Sequence, residues 1–94
     1  MKQILLALDT SQGTSVAVLV DGKVLAEAAD PNPMRHAENI GTLIARCIEK
    51  TGISSAEVTD VAVGIGPGPF TGLRVGIAAA KMFAAGSKAR LHGV

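Results

Sequence analysis

The chain has 94 residues, 48% hydrophobic and 18% charged, with mean hydropathy +0.38 and formal net charge +1. That composition excludes a disordered polymer and allows one small domain, which buries roughly two thirds of the surface its unfolded chain exposes. No stretch approaches the ~20 apolar residues of a membrane span, and near-neutral charge with only two aromatics, Phe70 and Phe83, disfavours a stand-alone nucleic-acid binder. The opening Met1–Leu8 carries one basic residue and a short apolar run cut off by Asp9, too brief for a secretory signal, so a cytoplasmic, soluble protein is expected.

In chain order, residues 3 to 8 and 15 to 20 are apolar on both faces, which predicts central strands in a sheet covered on both sides. Asp21-Gly22 is a hairpin signal and gives an antiparallel strand at 23 to 29, with Lys23 and Glu27 marking an edge. Asp30-Pro-Asn-Pro33 ends this meander. A helix is predicted from Met34 to Lys50, with Ile40, Leu43, Ile44, Cys47 and Ile48 on one face and Gly52 as its stop. Cys47, the only cysteine, reads as a reduced core thiol. Val61–Ile65 is a short buried strand, Thr71 to Ala85 a second helix, and Arg90 to Val94 another strand, parallel to the previous one through a right-handed crossover.

Between the last helix and the strand before it lies Gly64-Ile-Gly-Pro-Gly-Pro-Phe-Thr-Gly72. Gly66 and Gly68 are expected to adopt positive φ, Pro67 and Pro69 to stiffen the loop, and Thr71 to cap the helix. Such a loop can hold an anion at the helix N-terminus, or can let the helix pack closely on a neighbour. Without the Gly-Lys-Ser/Thr ending of a phosphate loop, the structural use comes first. Gly72, Gly76, Ala80 and Ala84 recur every four residues and make a smooth stripe. Spacing alone divides evenly between a stripe on the chain's own sheet and one against a partner helix. Because Leu73, Val75, Ile77, Ala79, Met82 and Phe83 make the other sides apolar as well, the stripe is read as a partner surface, together with Ile40 and Ile44 of the first helix.

No catalytic constellation is visible. There is no thiol–imidazole pair or paired carboxylate, and neither His36 nor His92 has a partner at metal-ligand spacing: Glu38, two residues from His36, cannot share its helical face.

Three antiparallel strands followed by alternating helices and strands, with Asp9-Thr-Ser11 and Thr14-Ser15 at the first turn, resemble the first domain of the actin, Hsp70 and sugar-kinase superfamily. Leu8-Asp-Thr-Ser11, Ser15-Val-Ala-Val18, His36-Ala-Glu38 and above all the block from Gly66 to Lys81 resemble the bacterial TsaB (YeaZ) family over essentially the whole chain, with proline at position 69 where the family pattern more often has serine. The resemblance implies an actin-like α/β domain with strand order 3-2-1-4-5, corresponding to the first of two family domains, the second being absent from residues 1–94. It also implies a non-catalytic subunit for threonylcarbamoylation of adenosine 37 in tRNA, joined through a helix bundle to the catalytic paralogue TsaD or to a second copy, with tRNA engaged only through the complex. The peptidase label once attached to this kinship finds no support in the residues. No metal and no cofactor are expected on this chain alone, and a nucleotide at a partner junction stays open. The rival reading is a nucleotide-binding or phosphotransfer domain. In actin-like kinases the first turn is Asp-x-Gly-Thr/Ser, whereas here Asp9, Thr10, Ser11 and Thr14 surround a displaced Gly13, leaving at most a vestigial phosphate turn.

Overall fold

The computed structural model describes residues 2–32, 36–68 and 70–94. It has one five-stranded sheet of order β3-β2-β1-β4-β5, formed by β1 (Ile4–Asp9), β2 (Thr14–Val20), β3 (Lys23–Asp30), β4 (Asp60–Val63) and β5 (Arg90–Gly93), with α1 (His36–Thr51) and α2 (Phe70–Ser87) as the connecting helices. The first three strands are antiparallel and β1–β4–β5 are parallel, which is the expected topology.

Local chemistry explains most of the boundaries. Asp21 and Gly22 both have positive φ, 49° and 82°, as a tight hairpin requires, and Asp21 is held to Gln3 by two hydrogen bonds of 2.9 Å. Helix α1 stops where Gly52 turns to φ 71°. Its expected start at Met34 and the stiffening role of Pro69 lie outside the described residues. Helix α2 runs two residues past its expected end and closes at Lys88, φ 59°, with the Ala89 amide donating to Ala84 O at 3.0 Å. At its other end α2 already includes Phe70, so Thr71 stands in the first turn and is not the cap. A 3₁₀ turn at Ser55–Glu57, capped by the Ser54 hydroxyl, carries no hydrophobic period and was not expected.

The expectation of a sheet covered on both sides is corrected for the described residues, whose helices cover one face. Helix α1 packs on β2 and β3, α2 packs on β4, β1 and β5, and the helices touch each other, so both lie on one face. Strand burial alternates accordingly: Ile4, Leu6, Leu8, Val16, Val18, Val61 and Val63 are buried, whereas Leu5, Ala7, Ala17, Leu19 and Ala62 remain partly exposed on the opposite face. Apolarity on two faces of a strand is a local property. Which faces receive helices is set by the crossovers. Cys47 is fully buried in the core, its Sγ 3.5 Å from Val16 O, and burial pushes its thiol pKa up.

Candidate functional site

The glycine loop and the turn after β1 meet at one end of the sheet. Asp9 is exposed, and its Oδ1 accepts the Ser11 amide at 2.8 Å, closing a short turn on itself. A Cβ on Gly64 would stand 3.3 Å from Asp9 Cγ. Thr10 is fully buried, and its hydroxyl donates to Gly72 O at 2.6 Å, binding the turn to the first residues of α2. Thr14 is buried in β2. Of the four turn residues, then, Asp9 and Ser11 face the loop while Thr10 and Thr14 serve the interior.

Gly66 has the expected positive φ, 128°, but Gly68 does not. Gly68 is required by proximity: a Cβ there would lie 2.9 Å from Ser11 Cβ and 3.0 Å from Ser11 Cα. Gly68→Val is therefore expected to push the loop off the first turn and cost roughly 1–3 kcal/mol, read as a lower melting temperature of the folded domain. Gly68→Ala should lower it less.

The small-residue stripe is a second correction. Gly72 and Gly76 are buried, Ala80 and Ala84 are 0% and 6% exposed, and a Cβ on Gly76 would run into the Thr10 side chain. The stripe faces the chain's own sheet. Ile40 and Ile44 likewise belong to the core, although Ile44 also reaches the floor of a groove between the helices. One accessible apolar surface is that groove, where α1, α2 and the 3₁₀ turn bring together Gly41, Ala45, Ile48, Gly52, Ile53 and Phe83, with Glu49 also lining it. Gly41 and Ala45 are exposed, and Met82 nearby on α2 is 78% exposed. The sequence signal for this groove is a second four-residue spacing of small residues, Gly41 to Ala45, on α1.

Among the described residues, one carboxylate with a clearly lowered pKa sits elsewhere. Asp60, 1% exposed, receives Arg90 Nε at 3.0 Å and His92 Nε2 at 2.9 Å on Oδ1, and the Thr59 hydroxyl at 2.8 Å on Oδ2. Hydrogen bonds from His92 and Thr59 lead in holding its pKa down at about 2, below the ordinary 3.8. Asp60 therefore contributes stability that is complete above the unfolded pKa and fades as pH falls towards 2. Asp60→Asn is expected to lower the melting temperature at pH 7 and to converge on the parent between about pH 4 and pH 2. A constant gap across that window would contradict the assignment. Sequence spacing hid this cluster because its members are 30 and 32 residues apart and meet only through the β4–β5 register. Among the described residues no group of three or more His, Cys, Asp or Glu is arranged to hold a metal ion, and no helix is long and apolar enough to cross a membrane.

Fold and site together define a mixed α/β domain with strand order 3-2-1-4-5 whose glycine loop locks a helix to the first β-turn. The family model described as "TsaD: tRNA N6-adenosine threonylcarbamoyltransferase" matches residues 24–94, and the chain belongs to that family. Within it the chain is TsaB/YeaZ-like. It is 35% identical over 91 residues to the tRNA threonylcarbamoyladenosine biosynthesis protein TsaB of Escherichia coli, covering 96% of this chain and 39% of that protein. A tRNA N6-adenosine threonylcarbamoyltransferase from Trichlorobacter lovleyi is 30% identical over 108 residues, covering 97% of this chain and 32% of that protein. The solved structure of YeaZ from Pseudomonas aeruginosa superposes with TM-score 0.90 at 32% identity, covering 98% of this chain and 43% of that one. The chain thus spans less than half the length of each of these relatives.

Proposed function

We propose that this domain serves threonylcarbamoylation of tRNA as a non-catalytic assembly subunit, seating a TsaD-like transferase paralogue in the groove between α1 and α2. The observation that carries the reading is the groove itself. Exposed Gly41 and Ala45 leave α1 smooth, so a partner helix can approach closely, and Ile48, Ile53 and Phe83 supply apolar surface beneath it. Membership of the family supplies the pathway. In this reading tRNA is met through the assembled complex, in the cytoplasm, and the chain alone holds no cofactor.

Ala45→Arg tests it. Ala45 is exposed, so the domain should fold with an unchanged melting temperature. A guanidinium in the helix contact should nevertheless weaken association with the paralogue by roughly tenfold or more, equivalent to about 1.4 kcal/mol, and transfer of labelled threonylcarbamoyl groups to tRNA should fall with it. Full association and full transfer with Ala45→Arg would defeat the groove assignment.

A second reading rests on Asp9, an exposed carboxylate beside the Gly64–Gly68 loop. It takes the turn as a nucleotide site of the sugar-kinase type. Calorimetry with ATP and magnesium separates the two, since heat of binding that disappears in Asp9→Ala would favour this alternative.

A further inference from the structure

We infer that Glu49 selects the occupant of the helix groove, admitting a partner helix that sets a lysine or arginine opposite it and excluding a second copy of this chain. This rests on the groove reading above and adds the chemistry of the partner. Gly41, Ala45 and Glu49 follow one another at four-residue spacing, so they form a single ridge along α1. A helix that settles on the smooth part of that ridge, beside Ile48 and Phe83, meets an acid at the next turn.

Among the described residues Glu49 is the one charged residue that lines the groove; the rest of the lining is apolar, glycine or serine. It is exposed, and no described residue holds its carboxylate in a hydrogen bond or ion pair. The neighbouring cations are turned elsewhere. Arg46 lines a different pocket, with Asp30 and Asn39 on the β3 side of α1, and Lys50 Nζ reaches Glu27 O at 3.4 Å. Lys81 is two residues from Phe83 and therefore on another side of α2. Glu49 also stands in the last turn of α1, where unpaired carbonyls make the helix end negative and an acid is the unfavourable choice. Both sources of negative potential act on whatever packs there.

Covering the groove with a helix takes this carboxylate out of water. An apolar or acidic neighbour leaves the charge without a partner and opposes binding, whereas a lysine or arginine offsets the desolvation with a charge-assisted hydrogen bond. Specificity follows from that difference. A second copy brings the same lining, which contains no cation, so across a twofold axis each Glu49 faces a surface that cannot match it.

Titration calorimetry of the chain with the TsaD-like paralogue, at low and high salt, tests this. The parent should bind more weakly as salt is raised. Glu49→Gln should bind several-fold more weakly at low salt and lose most of that salt dependence, and Glu49→Lys should bind roughly tenfold or more weakly. Folding is controlled in the same variants: Glu49→Lys puts a cation at a helix C-terminus and should melt no lower than the parent. Among single changes of the basic residues on the paralogue's facing helix to Glu, one should restore binding to Glu49→Lys. Glu49 variants that bind as the parent does at both salts, while Ala45→Arg weakens association, would leave the groove in place and overturn selection by charge. Indifference to Ala45→Arg as well would end both readings. A parent chain that dimerises by itself and becomes monomeric on Ala45→Arg would also overturn the inference.

Discussion

Gly76→Leu is expected to remove a large part of the domain's stability and to lower its melting temperature steeply. Gly76 is buried in the middle of α2, at the point where that helix crosses the turn after β1. Even a single carbon at this position would collide with the Thr10 hydroxyl and stand 3.1 Å from Thr10 Cγ2 and 3.3 Å from its Cβ. Thr10 cannot yield freely, since it is fully buried and its hydroxyl is committed to Gly72 O at 2.6 Å. A leucine must therefore displace the helix from the sheet or break that hydrogen bond, and overpacking of this kind costs roughly 1–3 kcal/mol or more. A chain of 94 residues has a total stability of only about 5–14 kcal/mol, so the loss is a large fraction of it. The smaller change Gly76→Ala should lower the melting temperature measurably, and Thr10→Ala in the same chain should recover part of that loss. Circular dichroism melts of the two single variants and the double variant give the coupling. Additive effects would mean that the two residues do not meet.

The same contact shows what was legible in the chain and what was not. Hairpin, helix stop and strand order rest on signals within a few residues of each other: Asp21-Gly22, Gly52, and the alternation of apolar runs with amphipathic stretches. Those were readable. The four-residue stripe on α2 was readable too, but periodicity states only that residues share a face. What the face meets is decided by the path of the chain, which sends both helices to one side of the sheet. Gly68 gives a parallel case. Its side chain is excluded by Ser11, more than fifty residues away in sequence, while the expectation looked for strain in its own backbone. His92 appeared unpartnered because ligand spacings are counted along the chain, and its partner Asp60 lies on the adjacent parallel strand. The outward-facing groove escaped for a related reason. Gly41 and Ala45 stood on a helix already explained by its apolar face, and only the approach of Phe83 and Ile53 turns their side into a concave surface.

Ala80→Arg should produce an unfolded or aggregated chain, with no intermediate case of a folded domain that fails to assemble. Ala80 is 0% exposed within the core cluster that includes Leu6, Val61 and Val63. It sits on the sheet-facing side of α2, one turn beyond Gly76, so a guanidinium there has the sheet in front of it and the helix backbone behind it. Leaving a charge buried without a partner costs about 3–5 kcal/mol, in addition to the volume of the side chain itself. Ala78→Arg, two residues earlier on the exposed side of the same helix, should melt as the parent does and controls for helix propensity. The comparison has a consequence for the functional assay. If Ala80→Arg abolishes transfer, the loss follows from the missing fold and carries no information about docking, whereas loss of transfer by a folded Ala45→Arg does. A well-folded Ala80→Arg chain, cooperative in its melt and compact by light scattering, would return the stripe to the surface and with it the partner reading of α2.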